Sequence, residues 1–304
     1  VSTEGGTKAV VAALSANLGI GVTKFAAYAL TGASSMLAEA IHSVADSGNQ
    51  LLLLLGARKA RQEATPEHPF GFSRYRYFYA FVVAVVLFTL GGCFALYEAW
   101  HKWQHPEPIE SWQWVPIAVL VIGMVLEGLS FRTAMRESNK IRGNVGWGRF
   151  IRRSRSPELP VILLEDFGAL VGLAFALVGI AMTLITGNGR WDAFGTAMIG
   201  ALLVCIALVL ARETREMLLG ESATPEDVAR IRAALAEGGY PDVIHLRTSH
   251  LGPEDILVAA KVAARPDETL AEVAARTDGA EALIRAAVPA VRLIFIEPDV
   301  RHGA

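Results

Sequence analysis

In the stretch "LAEAIHSVADSGNQLLLLLG", which is long and apolar enough to cross a bilayer, His42 and Asp46 stand four positions apart. At 3.6 residues per turn they lie about 40° apart on one helical face and roughly 6 Å apart along the axis, so one cation can touch both side chains. A second apolar stretch, "ELPVILLEDFGALVGLAF", carries Glu165 and Asp166 side by side. Ionisable residues at membrane depth face a cavity or a partner and mark ion routes, so two such sites on two helices predict a shared cation. Neighbouring helix positions point about 100° apart. One of the two carboxylates therefore faces the ion squarely, with Asp166 the first choice and Glu165 the second. One imidazole with two or three carboxylates suits a borderline divalent metal: zinc first, with manganese, iron and cobalt left open. Binding requires a neutral imidazole and ionised acids, so loading the site releases protons and protonating it releases metal.

The elements that must hold these groups are legible from composition. Of 304 residues, 53% are hydrophobic and 19% charged, against about 25% charged in soluble domains. The apolar residues lie in membrane-length blocks up to about Gly220, which predicts a transmembrane domain over 1–220 and a soluble one over 221–304. Six spans are expected, near 8–31, 35–57, 77–100, 112–134, 159–186 and 193–215. The run from Lys8 to Leu30 reads as a retained span and not a signal peptide, because a second apolar helix follows at once and the run contains Asn17 and Lys24. The second-to-third loop holds Arg58, Lys59, Arg61, Arg74 and Arg76, and the fourth-to-fifth ends in Arg149, Arg152, Arg153 and Arg155; the opposite loops offer Lys102 and Arg190. By the positive-inside rule both termini are cytoplasmic, in a bacterial inner membrane or, for a eukaryotic protein, a mitochondrial one. Trp100, Trp103, Trp112, Trp114 and Trp191 fit an outer aromatic belt facing membrane lipid.

After Gly220, a Thr-capped amphipathic helix, two alternating strands around a Gly-Pro turn, a second helix and the strand "VRLIFI" give the order αββαβ. This is an α+β domain, ferredoxin-like in plan, with helices on one face of a three-stranded sheet and "VRLIFI" in its core. Cys93 and Cys205 lack paired spacing and read as packing residues. A net charge of −2 and the lack of a basic block exclude a nucleic-acid partner. Glu127, Asn17, Lys24 and Asp192 read equally well as structural or pathway groups, and Lys24 is free to snorkel. Two rival classes are an intramembrane metal-dependent hydrolase and a passive cation channel. No His-Glu-x-x-His, Gly-x-Ser-x-Gly or P-loop motif supports an enzyme, and no cofactor is implied.

At these residues the chain resembles the cation diffusion facilitator family of divalent-metal/proton antiporters. "LAEAIHSVADSGNQ", "EHPFGFSRYRYF" and "VILLEDFGALVG" are similar to the branch containing the animal mitochondrial zinc transporter. The resemblance implies two ligands four apart on span two, His42 and Asp46, and two four apart on span five. Asp166 matches the second of that pair, while the first falls on Ile162, which leaves Glu165 as the nearest substitute. It also implies metal sites in the loop after span two and in the soluble domain. There His68, His245 and Glu297 match ligands, but Phe72 and Phe295 stand at others, so no regulatory metal cluster is expected and His68, His245 and His250 become surface or turn residues. The family further implies a homodimer paired through the soluble domain, and a charge interlock for which Arg74 and Glu221 are the available partners.

Overall fold

The computed structural model describes residues 3–106, 112–154 and 158–300. Arg155 of the expected basic loop lies outside them. The backbone divides into two compact units, Val1–Arg58 with Phe78–Thr214, and Lys59–Tyr77 with Arg215–Ala304.

The first unit is helical because its apolar runs contain no internal breaker; Pro116 and Pro160 fall in first turns, where the missing N–H has no intrahelical partner to lose. Its elements are α1 (Thr3–Thr31), α2 (Ser34–Lys59), α3 (Tyr75–Val86), a π-helical segment (Leu87–Cys93), α4 (Phe94–Gln104), α5 (Trp114–Arg142), α6 (Trp147–Arg153), α7 (Glu158–Thr186) and α8 (Arg190–Leu219). Among the described residues, four helices are long and apolar enough to cross a membrane: Tyr75–Gln104, Trp114–Lys140, Glu158–Thr186 and Arg190–Leu219. The first two helices have comparable lengths, 29 and 26 residues. In α2 a buried polar stripe replaces a continuous apolar surface.

The core gathers Met36, Leu87, Leu120, Leu173, Ile180, Ile199 and Leu203 from α2 through α8. Small residues let the backbones approach: a Cβ on Gly179 would lie 2.9 Å from the Trp191 carbonyl oxygen, and one on Gly195 would lie 2.8 Å from that of Phe175. Such contacts drive helix association where burial from water is unavailable. Cys93 and Cys205 are free, and both are exposed, whereas packing residues were expected to be buried. Helix α6 is an addition to the six expected spans. Trp147 and Phe150 fold it onto Phe131, Met135 and Leu163, leaving an apolar cavity of about 330 Å³ between them.

In the second unit Thr224 caps α9 (Pro225–Glu237) by accepting from the Asp227 amide at 3.1 Å. β1 (Val243–Gly252) and β2 (Asp255–Ala263) pair antiparallel. α10 (Leu270–Ala287), opened by a Thr269/Glu272 capping box, then crosses to β3 (Val291–Asp299), parallel to β2. The sheet order is β1-β2-β3. Ile256, Val258, Ala260 and Val262 alternate inward against Ile231 and Leu235 of α9, Ile284 of α10 and Tyr240 of the loop after α9. β3 joins this core through Val291 and Ile294, whereas Phe295 is 55% exposed, so only one face of the "VRLIFI" strand is interior.

Residues 59–77 belong to this unit for a local reason. The Ser73 hydroxyl donates to the Asp255 carboxylate, and Gly252 packs so closely on Ser73 that an added Cβ would lie 2.5 Å from the Ser73 Cβ. Arg74 Nη2 reaches 3.7 Å from the Cβ position of Gly220, at the start of the domain.

Candidate metal centre

α2 brings the site together. Its buried face carries Glu39, His42, Ser43, Asp46 and Asn49 in helical succession. The first turn is held by Asp192 of α8. One oxygen of that carboxylate accepts from the Ser34 amide at 2.7 Å and the Ser34 hydroxyl at 2.9 Å; the other accepts from the Ser35 amide at 3.3 Å and from its hydroxyl. A carboxylate at a helix N-terminus satisfies free N–H groups and complements the helix dipole. Here it also fixes the rotation of α2 against α8, and so the direction in which His42 and Asp46 face.

His42 Nε2 lies 3.5 Å from Asp46 Oδ2, and the two side chains are 1% and 11% exposed. Neither His42 ring nitrogen has a hydrogen-bond partner, nor does Asp46 Oδ1. Unpartnered polar atoms at such depth are costly, and they are the donor atoms a cation would use. From α7, Glu165 is buried and accepts from Asn49 Nδ2 at 2.7 Å, whereas Asp166 is part-exposed and accepts from Ser130 Oγ of α5 at 3.0 Å. Asp166 interacts electrostatically with both His42 and Asp46. Glu127 of α5 is buried and lies within electrostatic reach of Asp46, Asp166 and His42.

The expected residues therefore line one region, yet among the described residues no three His, Cys, Asp or Glu side chains gather closely enough to hold one ion. His42 and Asp46 stand side by side on α2. Glu165 is engaged by Asn49 and Asp166 by Ser130. Ile162 packs beside the apolar cluster of Ala134, Phe150 and Leu163.

Lys24 does not snorkel. Its ammonium is 1% exposed and donates to Glu39 Oε2 at 3.0 Å and to Ser43 Oγ at 2.9 Å. Glu39 escaped the sequence reading although it stands one turn before His42. The signal was a Lys deep in one apolar helix and a Glu in the next, each needing a partner.

In the C-terminal unit His68 and His245 are exposed, while His250 is buried, with its Nδ1 3.2 Å from the Gly252 carbonyl. His245, Lys261 and Glu297 stand in register across the three strands. The Lys261 ammonium binds Glu297 at 3.3 Å and Asp299 at 2.9 Å, and those bonds hold its pKa above the usual lysine range. A cation from the chain thus occupies the row that joins His245 to Glu297.

Residues 10–219 match the family model for the cation efflux transmembrane domain. The chain is similar to the human proton-coupled zinc antiporter SLC30A9, mitochondrial, at 36% identity over 242 residues, covering 79% of this chain and 42% of that protein. It is 28% identical over 261 residues to metal tolerance protein C4 of Arabidopsis thaliana, covering 84% and 56%, and 25% identical over 222 residues to the zinc transporter ZitB of Escherichia coli K12, covering 73% and 65%. The chain thus spans less than two thirds of each relative's length. With a helical membrane-type domain, buried acidic groups facing a histidine, and a family match over most of its length, the chain belongs to the cation diffusion facilitator family of cation efflux proteins.

Proposed function

We propose that this chain is a secondary transporter that exports a divalent transition metal, zinc first, from the cytoplasm in exchange for protons, by alternating access at a site between α2 and α7. The observation that carries the reading is the buried His42–Asp46 pair, 3.5 Å apart with both imidazole nitrogens and Asp46 Oδ1 unpartnered, in electrostatic contact with Asp166 of α7. Its ligands are His42, Asp46 and Asp166, with Glu165 completing the sphere in place of Ile162. Manganese, iron and cobalt fit the same donors.

The chemistry of exchange lies in the side chains. Several carboxylates in one low-dielectric region repel one another; a divalent cation relieves that repulsion, and protons do so once the metal leaves. Exporting a divalent ion against an inside-negative potential costs about 4.6 kcal/mol per 100 mV, and one incoming proton returns about 2.3. Rocking of α2 and α7 against their neighbours, as in other secondary transporters, would open the region to each side in turn.

In this reading α1, α2, the Tyr75–Gln104 helix, α5, α7 and α8 are the six spans of a 1–220 transport domain. Both termini lie on the cytoplasmic side of a bacterial inner or mitochondrial membrane. Residues 221–304 form a ferredoxin-like domain that pairs two copies, with Arg74 and Glu221 joining loop to domain. The names of the relatives, zinc antiporter and zinc transporter, support the cargo. The family match favours transport over the hydrolase or the channel.

The test is uptake of zinc and manganese into proteoliposomes with and without a pH gradient. Accumulation that requires the gradient supports an antiporter. Equal fluxes in its absence would indicate a channel.

A further inference from the structure

The Lys24–Glu39 pair has no part in the exchange scheme, yet it is packed among α1, α2, α5 and α7, and two of these, α2 and α7, carry the proposed ligands. Lys24 comes from α1 and Glu39 from α2; a Cβ on Gly123 of α5 would lie 4.0 Å from Lys24 Cε, and one on Gly172 of α7 would lie 2.7 Å from Glu39 Oε1. Glycine at 172 makes the room that this carboxylate fills. The ammonium is fixed at the level of the metal pair, because Ser43, which it binds, adjoins His42 and Glu39 stands one turn before it. It interacts electrostatically with His42, Asp46 and Glu127.

A structural role is a poor explanation of this arrangement. Desolvating two charges consumes most of their attraction, so a buried ion pair adds little stability over an apolar one, and α1 already approaches α2 without it: a Cβ on Gly21 would lie 3.4 Å from Val44 Cγ2, and Ala27 and Met36 share one apolar core. A fixed cation beside a cation site has a definite effect instead: it opposes the incoming divalent ion, while its partner carboxylate attracts it. The affinity then depends on the balance of the two.

We infer that Lys24 is a positioning residue of the transport site: an internal cation, held by Glu39 and Ser43, that keeps metal affinity low enough for release. The inference rests on the transport reading. It makes a prediction of opposite signs that a structural role does not. Lys24→Met leaves Glu39 as an extra unbalanced carboxylate beside His42, whereas Glu39→Gln leaves Lys24 as an unbalanced cation.

The experiment measures zinc transport by the full chain in proteoliposomes, normalised to folded protein, as KM and maximal rate. Expected are a fall in KM of about fivefold or more with a reduced maximal rate for Lys24→Met, and a comparable rise in KM for Glu39→Gln. Lys24→Arg and the charge-neutral double variant Lys24→Met/Glu39→Gln should both return within about twofold of wild type. KM values that move together in both single variants, or do not move while only the folded yield falls, would overturn the inference. A wild-type protein that moves no zinc would defeat the transport reading instead.

Discussion

The Asn49 side-chain amide donates to Glu165 Oε1 at 2.7 Å, so α2 and α7 are tied together one turn beyond Asp46. The bond engages one oxygen of Glu165, a carboxylate in electrostatic contact with Asp46, while Asp166, on Ser130, is the other acid of α7. Two acids with different restraints should respond differently to substitution. Asp166→Asn is expected to lower the zinc transport rate by 100-fold or more, on the order of 3 kcal/mol. Glu165→Gln should retain measurable transport with a raised KM, and Asn49→Ala, which frees Glu165, should lower KM. Radioactive zinc uptake measures all three; equal losses for both acid variants would show that Glu165 is as necessary as Asp166.

Asp192 caps α2 from α8, through both serines of the turn. Asp192→Ala strands these donors in a buried place and should cost about 1–3 kcal/mol. It should also reduce transport, because the rotation of α2 sets where His42 and Asp46 face. Thermal unfolding in detergent and zinc uptake check the two effects; unchanged unfolding would remove the cap from the account.

The candidate residues could be read because their signals are local. Four-residue spacing within one apolar helix singles out His42 and Asp46, and two adjacent acids in another single out Glu165 and Asp166. What escaped was set by partners distant in sequence. Lys24 pairs with Glu39 across the α1–α2 turn, and Asp192 meets Ser34 from 158 positions away; no periodicity announces either bond. Snorkelling was the natural expectation for Lys24 because an isolated cation in a span does best at the interface, and a carboxylate on the next helix removes that need. In the fold, the strand and helix order after Gly220 was readable from alternation and capping, whereas the membership of 59–77 in the second unit depends on the Ser73–Asp255 contact. Helix α6 was hidden by its basic sequence, and only the packing of Trp147 and Phe150 on α5 and α7 reveals it.

The start of α10 should be sensitive to acid. The Arg276 guanidinium holds the Glu268 carboxyl below the usual carboxylate range, and the Thr269 backbone amide and hydroxyl do the same for Glu272. A depressed folded-state value means the stabilisation is complete above the unfolded value and is lost as pH falls through the folded one. The first turn of α10 should therefore be well protected near neutrality and lose protection below about pH 4. Hydrogen exchange of its amides, corrected for intrinsic rates, reads this directly. Glu272→Gln should flatten the dependence, and an unchanged profile would contradict it.

Phe295 is 55% exposed on the sheet face turned away from both helices, opposite Ala259 of β2. If the soluble domain pairs two copies through this face, Phe295→Asp should shift the detergent-solubilised protein from dimer to monomer. Light scattering coupled to size exclusion measures the mass. A dimer unaffected by the substitution would move the interface elsewhere.

A transporter that shares one ion between side chains of α2 and α7 and exchanges it for protons must couple the two fluxes. The most direct measurement is zinc entry and the accompanying pH change in the same proteoliposomes, for wild type, Asp46→Ala and Asp166→Ala. Wild type is expected to move zinc one way and protons the other, and each single variant to lose both fluxes while remaining folded. Zinc flux that persists in both variants, or zinc flux in the wild type with no counterflow of protons, would contradict it.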